Sequence, residues 1–294
     1  MESVPPVVLV HGSWHGSWCW SLVTEHLAGL GVPAVAVDLD GHGLKGPSPL
    51  SRWSRPFDQD AYAAELSPVA DVTASSAAAT LVGQLRRIGN GRPCVLVAHS
   101  MGGVVATAAA EQAPELVSEL VYLSAYAPVS GKPTSDYFTL PESGDAVLRL
   151  LVGDFLETGA LRIDPGDPER HRAIQDTFYN DVDDATAAAA ISLLTSDGPI
   201  GIPAETLTVT AERYGTVPHT YLICLRDNAF PVALQRGFVA EIDAVSDRPT
   251  TVRELATSHS PFLSQPAELA RAIASAHRDA SARTSPSVRG NHIS

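Results

Sequence analysis

The sequence predicts an α/β fold: a mainly parallel six-stranded sheet flanked by helices, with an inserted helical cap. Short apolar segments alternate with longer amphipathic ones, as in βαβ units whose sheet is buried on both faces. This alternation stops after residue 128 and resumes near 216. A serine between small residues also follows the end of one apolar run. With 294 residues, 45% of them hydrophobic, the chain can bury a large core.

The strands are predicted from short runs rich in Val, Leu and Ile. They are expected at 6–10, 33–38, 93–98, 119–124, 219–225 and 250–255. Helices are predicted between them, at about 17–30, 72–88, 101–112, 231–243 and 266–281. Within 72–88 the apolar residues recur at three- and four-residue steps, so one stripe of that helix should face the sheet.

The interrupted region divides the chain into a first core part, 1–128, a cap, 129–215, and a second core part, 216–282. The cap contains helix-like pieces near 142–158, 168–178, 184–195 and 203–214 and no convincing strand. A separate helical domain is less favoured, because strand and helix alternation resumes directly afterwards. Residues 283–294 are rich in Ser, Arg and Gly and are predicted to form a flexible tail.

Composition excludes several classes of partner. The net charge is −13 without a long acidic block, which argues against nucleic acid and anionic membranes and makes a polyanionic substrate less favoured. The first residues lack a basic leader, and no apolar run is long enough to span a bilayer, so a cytoplasmic location is expected. Cys19, Cys94 and Cys224 are predicted to be buried free thiols.

The run Ala98-His99-Ser100-Met101-Gly102-Gly103 follows a predicted strand and predicts a nucleophile elbow. In such an elbow a sharp strand-to-helix turn exposes the serine, and small neighbours let other backbone pass close to it. The alternative is an ordinary strand followed by a helix that begins at Ser100.

A serine nucleophile needs a base, and the base needs an orienting carboxylate. Asp227 and His259 each follow a later predicted strand, in the order Ser, acid, His that is found on parallel-sheet hydrolases. Asp38 and Asp40 also end a strand, but the glycines after them favour a turn or capping role. The position after strand 119–124 carries Ser124 and no carboxylate.

Acyl transfer also needs N–H donors for an oxyanion, and the amides of Ser13 and Met101 are the candidates. A metal pair formed by His11 and His15 is the competing interpretation. It is less favoured because glycines mark a loop there and no third ligand accompanies the pair. No cofactor or metal is therefore expected.

Four segments carry a resemblance to a known family: 8–20, the elbow, 210–215 leading to Asp227, and 258–263. Over residues 6–280 the chain resembles the α/β-hydrolase group of plant methylesterases, hydroxynitrile lyases and their bacterial esterase relatives. The resemblance implies the α/β-hydrolase fold, a Ser100, Asp227 and His259 triad, and an oxyanion hole at Ser13 and Met101.

Two departures bear on the reaction. The S-selective lyases of this group carry a Thr at the position of Gly12 and a Lys at that of Ser260. The absence of both favours a serine carboxylesterase acting on a small or medium apolar ester. A lactonase or cyclising acyltransferase, a lyase or cofactor-free dioxygenase using the same His and Asp, and a ligand receptor are the alternatives. The substrate, the oligomeric state and the role of residues 44–71 are left open.

Overall fold

The structure is a computed structural model that describes residues 5–284. Its strands are β1 Val7–Val10, β2 Ala34–Val37, β3 Cys94–His99, β4 Val117–Leu123, β5 Ala160–Arg162, β6 Asp197–Pro199, β7 His219–Cys224 and β8 Thr251–Leu255. Its helices are α1 Ser21–Gly29, α2 Gln59–Ala64, α3 Ala74–Gly89, α4 Gly102–Gln112, α5 Thr134–Tyr137, α6 Phe155–Thr158, α7 His171–Phe178, α8 Asp184–Ser192, α9 Gly201–Ala204, α10 Val232–Val245, α11 Pro261–Ser264 and α12 Pro266–Thr284.

The main sheet has six strands in the order β2-β1-β3-β4-β7-β8, and every neighbouring pair is parallel. The prediction of a mainly parallel six-stranded sheet is confirmed. Every residue of β1, β3 and β7 is buried, as expected for strands covered on both faces. Because the strands are parallel, the loops after β1, β3, β7 and β8 all lie at one edge of the sheet.

Helices cover both faces of this sheet. Alternate strand residues such as Val8 and Leu96 pack against α3, α4 and α10, whereas Val7 and Val95 pack against α1 and α12. Helix α3 begins at a capping box, in which Thr73 and Ser76 each bond the other's backbone, and ends at Asn90 in the left-handed conformation. Cys19, Cys94 and Cys224 are buried free thiols, as predicted.

The segment 129–215, here called the insertion, has its own apolar cluster, which includes Ile163, Ile174 and Ile191. The expectation that it holds no strand is wrong, because β5 and β6 form a two-stranded antiparallel ribbon. Strands of three residues are too short to show a period. The helix predicted over 203–214 is also wrong beyond Ala204, where α9 ends.

The piece predicted near 142–158 is broken into short turns and α6, since Gly144 and Gly153 adopt positive φ. The flexible tail was predicted to begin at residue 283, but α12 continues to Thr284. Arg283 is held there by an ion pair with Glu119 of β4. The remainder of that predicted tail, 285–294, lies outside the described residues. Within residues 5–284, no helix combines the length and apolar character needed to cross a bilayer.

Residues 44–71, whose role the sequence leaves open, pack on the ribbon of the insertion. Arg162 of β5 is fully buried, and its guanidinium bonds both carboxylate oxygens of Asp197 in β6 at 2.8 Å. The same guanidinium donates to the backbone oxygens of Tyr62 and Glu65. A buried charge retained in this way needs all of its hydrogen bonds. The Arg162 guanidinium, held in place by Asp197, therefore ties the backbone of the 44–71 loop to the insertion.

Candidate active site

Ser100 sits in a strained turn between β3 and α4. Its φ is +51°, a left-handed conformation that non-glycine residues rarely adopt. The turn is held on both sides: the Ser100 amide donates to the Leu123 oxygen at 3.2 Å, and its carbonyl oxygen accepts from the amides of Gly103 and Tyr126 at 3.0 and 3.1 Å. Such over-determined strain is typical of a nucleophile elbow rather than of an ordinary helix start.

The two glycines after the serine are required by close backbone approach. A Cβ at Gly102 would lie 2.2 Å from the His11 carbonyl oxygen, and one at Gly103 would lie 2.2 Å from that of Tyr126. Neither space could hold a methyl group without moving a strand end. The sequence interpretation of these positions as close-approach sites therefore agrees with the geometry.

The predicted acid and base are hydrogen-bonded to each other. Nδ1 of His259 donates to Oδ2 of Asp227 at 2.7 Å, and both side chains are buried. The other carboxylate oxygen, Oδ1, accepts from the amides of Ala229 and Phe230 at 2.8 and 2.7 Å. These amides fix the rotation of the carboxylate, so that Oδ2 is directed at the imidazole.

Ser100 and His259 line the same cavity. Among the described residues, the Ser100 hydroxyl makes no hydrogen bond to a protein group, including the imidazole of His259. In hydrolases without substrate this contact is often long and tightens only when the substrate binds. The structure thus brings Ser100 and His259 to one cavity and holds Asp227 behind the imidazole through the Asp227 to His259 bond.

The two other acids considered from the sequence do not approach His259. Asp38 accepts from the amides of Ser17 and Leu44 at 2.6 and 3.0 Å, and Asp40 accepts from the Thr80 hydroxyl at 2.6 Å. Asp38 therefore binds backbone amides in the loops after β1 and β2, as a turn role requires, whereas Asp40 bonds a side chain of α3 instead of capping a turn.

The predicted oxyanion donors lie beside the nucleophile. Ser13 and Met101 both line the cavity, and within residues 5–284 neither amide donates to a protein acceptor. Gly12, which precedes the first of these donors, approaches the nucleophile so closely that a Cβ there would lie 2.6 Å from the Cβ of Ser100. Amides without a protein partner are available to bind an oxyanion, and the role of these two as an oxyanion hole stays a prediction.

His11 and His15 shape this loop. Nδ1 of His11 donates to the Gly12 oxygen at 2.8 Å while Nε2 accepts from the Leu39 amide at 3.1 Å. Nδ1 of His15 donates to the Ser13 oxygen at 2.9 Å while Nε2 accepts from the Tyr179 hydroxyl at 2.8 Å. Burial lowers the pKa of each histidine to about 3, so both are neutral. Since every ring nitrogen is engaged, the metal-pair alternative does not fit.

The cavity is lined mainly by apolar side chains, and the insertion provides many of them. Within the described residues, its lining contains no Asp, Glu, Lys or Arg and no residue of 44–71. The lining residues other than Ser13, Ser100, Met101 and His259 are Trp14, Tyr126, Phe138, Ser143, Gly144, Val147, Leu148, Leu151, Leu161, Phe178, Ala229 and Phe230.

Several supporting residues could not be identified from the sequence. Ser124, at the end of β4, donates its hydroxyl to Oδ2 of Asp227. Asn180 of the insertion donates to the Arg226 carbonyl oxygen at 3.1 Å, and Asp181 accepts from the Ser258 amide at 2.8 Å. These contacts hold the residues directly before Asp227 and His259. The only sequence signal is the position of Ser124 directly after a predicted strand.

Comparisons with known proteins identify the family of this chain and several relatives named as esterases. A model of the "Alpha/beta hydrolase family" matches residues 7–272. A chloroplastic protein of Arabidopsis thaliana named as a methylesterase is 28% identical over 269 residues, which cover 89% of this chain and 61% of that protein. Methyl jasmonate esterase 1 of Vitis vinifera is 28% identical over 268 residues, covering 89% of this chain and 92% of its own.

A solved structure supports the fold. The pyrethroid hydrolase from Sphingobium faniae JZ-2 superposes with a TM-score of 0.72 at 24% identity, over 94% of this chain and 98% of that one. Together with the family match, this likeness confirms the fold, and the relatives named as esterases confirm the group resemblance expected from the motifs.

Proposed function

Because the chain belongs to the alpha/beta hydrolase family, we propose that it is a serine carboxylesterase that cleaves a small or medium apolar ester through an acyl-enzyme. The observation that carries the proposal is that a left-handed Ser100 shares one cavity with His259, whose imidazole is hydrogen-bonded to Asp227 at 2.7 Å. The esterase names of the relatives support the same reaction class.

The reaction uses each of these groups in turn. Nε2 of His259 takes the Ser100 proton as Oγ attacks the ester carbonyl carbon, and the amides of Ser13 and Met101 stabilise the oxyanion. The C–O bond to the alcohol then breaks, and His259 protonates the departing alkoxide. A water molecule, deprotonated by His259, cleaves the acyl-enzyme and releases the acid. Asp227 holds the imidazole tautomer and stabilises its cationic form.

The cavity limits the substrate to an uncharged one. Without a charged side chain among the described lining residues, a substrate carboxylate or ammonium would lose its hydration uncompensated. The relatives' names extend the proposal to methyl esters, with methyl jasmonate as the ester that one of these names gives. The insertion, which supplies much of the lining, would act as a cap that excludes water. The cytoplasmic location stays a prediction.

The esterase reaction is favoured over the lyase reaction by Gly12 and Ser260. Gly12 lies against Ser100, so the loop leaves its backbone donors open to a substrate carbonyl. Ser260 follows His259 and places no ammonium there to hold a departing cyanide.

The proposal is tested with a fluorophosphonate probe and mass spectrometry. We expect a single adduct on Ser100 and none on the Ser100→Ala protein. Ester turnover should fall by roughly four to six orders of magnitude in that variant while its circular dichroism stays unchanged. Turnover of p-nitrophenyl acetate is measured beside mandelonitrile cleavage. Faster cyanide release than ester hydrolysis, or an adduct elsewhere, would contradict the proposal.

A further inference from the structure

The hydroxyl of Tyr126 is different from those of the chain's other tyrosines. Each of the others is hydrogen-bonded within the protein; they are Tyr62, Tyr122, Tyr137, Tyr179, Tyr214 and Tyr221. Among the described residues, the Tyr126 hydroxyl has no protein partner. Tyr126 is half-buried, and a phenol partly removed from bulk water usually finds a hydrogen-bond partner.

This tyrosine is held rigidly beside the nucleophile. Its amide donates to the Ser100 carbonyl oxygen at 3.1 Å, so its backbone is fixed relative to the elbow. Its ring lies 4.4 Å from that of Phe230 between centroids, and the rings of Phe138 and Phe238 contact it at 5.7 and 5.9 Å. Neighbours on several sides leave the ring little freedom to turn toward another protein partner.

The hydroxyl is also neutral. Burial raises the pKa of Tyr126 far above its ordinary value, and the nearby Asp227 carboxylate adds to the effect. The phenol therefore keeps its proton over the whole working pH range and serves as a hydrogen-bond donor. Tyr126 also lines the cavity that contains Ser100 and His259, whose other lining is largely apolar.

We propose that the Tyr126 hydroxyl determines substrate choice by donating a hydrogen bond to a second oxygen of the ester substrate. This inference rests on the proposed esterase function and adds a substrate class. The substrate is an uncharged ester that carries a carbonyl, ether or hydroxyl oxygen away from its scissile group. For a methyl ester the alcohol is too small to carry that oxygen, so the acyl part must carry it.

Paired methyl esters test this assignment. The kcat/KM values for methyl hexanoate, methyl 4-oxohexanoate and methyl 5-oxohexanoate are compared in the wild type and in Tyr126→Phe. We expect the wild type to prefer at least one oxo ester. Tyr126→Phe should reduce that preference by about tenfold to a hundredfold, measured within each protein as the ratio of kcat/KM for the oxo ester to kcat/KM for methyl hexanoate. The ratio between esters within one protein cancels the amount of folded enzyme. Comparing that ratio between the wild type and Tyr126→Phe cancels the difference in the esters' intrinsic reactivity.

Tyr137→Phe is the matched control. Its ring packs on Phe238, as does that of Tyr126, but its hydroxyl bonds Glu241 at 2.7 Å and it does not line the cavity. Tyr137→Phe should keep the wild-type preference. A preference that persists in Tyr126→Phe, or a wild type that does not distinguish the oxo esters from methyl hexanoate, overturns the assignment.

A binding measurement separates this inference from the reaction itself. Calorimetric affinities for the best oxo ester are compared in Ser100→Ala and in Ser100→Ala/Tyr126→Phe, where no turnover interferes. Weaker binding in the double variant supports the hydrogen bond even if the wild type fails to hydrolyse any ester. Equal affinity in the two proteins, or binding of the oxo ester no tighter than of methyl hexanoate, rules the hydrogen bond out.

Discussion

The hydroxyl of Ser124 donates to Oδ2 of Asp227, the same carboxylate oxygen to which His259 donates through Nδ1. Ser124 follows β4 with φ of +40°, and its amide is held by the Leu222 oxygen at 3.0 Å. One oxygen atom thus receives donors from two loops of the sheet edge. Ser124 adopts a strained, positive φ in the conformation that directs its hydroxyl at that oxygen.

Replacing Ser124 should lower the rate of the chemical step. Ser124→Ala is expected to reduce kcat about tenfold with little change in KM, because the carboxylate loses a donor that fixes its position under the imidazole. Ser124→Gly tests whether the hydroxyl or the backbone matters, since glycine accepts the positive φ without strain. Steady-state kinetics on both proteins should give equal losses. Wild-type kcat in Ser124→Gly would assign the position to backbone geometry alone.

Only one of the strand-end acids should matter for turnover. Asp227→Asn is expected to lower kcat by about four orders of magnitude, because an amide cannot stabilise the imidazolium and favours the wrong tautomer. Asp38→Asn and Asp40→Asn, whose carboxylates bond Ser17 and Thr80, should stay within about tenfold of wild type. Kinetics are compared after circular dichroism shows that each variant is folded. An equal loss at residue 38 or 40 in a folded protein would require another acid.

Gly12 approaches Ser100 so closely that, with the loop as it stands in this chain, a side chain at this position should disturb the nucleophile. A Cβ there would lie 2.6 Å from the Cβ of Ser100, so in Gly12→Ala the loop must shift and move the Ser13 amide. Losing one oxyanion donor is expected to lower kcat by about a hundredfold to a thousandfold. Gly29→Ala, where a Cβ would meet nothing within 4 Å, is the control and should retain wild-type rates. Rapid turnover by folded Gly12→Ala would contradict the assigned oxyanion hole.

Buried neutral histidines should make the protein sensitive to mild acid. Burial lowers the pKa of His11 and His15 to about 3 and that of His42 and His219 to about 4, against 6.5 when unfolded. Between about pH 6.5 and pH 4 the unfolded chain therefore binds more protons, so the free energy of unfolding falls as the pH falls. Each histidine should contribute about 1–2 kcal/mol between pH 7 and pH 5.

Urea titrations at several pH values measure this slope. The ring of His219 lies against the rings of Tyr122 and Tyr214, away from the catalytic residues. His219→Phe should therefore lower by about one the number of protons that the chain takes up on unfolding in this pH range. A free energy of unfolding that stays constant from pH 7 to pH 5 would show that these histidines are protonated in the folded protein.

The sheet and the candidate triad could be predicted because their signals are local. The apolar runs of β1 and β3 are continuous, and Ser100 lies within a short motif of small residues. Asp227 and His259 each follow a strand, and parallel strands bring their ends to one edge. The positions of Asp227 and His259 after their strands were therefore enough to predict that both lie near Ser100, although the three residues are far apart in sequence.

The remaining features depend on contacts that no local pattern encodes. The β5–β6 ribbon consists of Ala-Leu-Arg and Asp-Gly-Pro, which show no strand period, and its Arg162–Asp197 ion pair joins two parts of the insertion. Ser124 and Asp227 are 103 residues apart, and Asp181 and Ser258 are 77 apart. The pairing of β4 with β7 brings Ser124 to Asp227, whereas the packing of the insertion on the sheet edge brings Asp181 to Ser258.

The insertion is fastened to the catalytic loops, which bears on how this enzyme could be re-engineered. Asn180 and Asp181 bond the backbone next to Asp227 and His259, and Asn228 donates to the Asp176 oxygen at 2.8 Å. Exchanging the whole segment for that of a relative would remove the supports of the acid and the base together with the pocket wall. Chimeric enzymes should therefore retain residues 176–181 and vary only the stretch around 138–151. Such a chimera should acquire the relative's substrate specificity and keep the contacts that position Asp227 and His259.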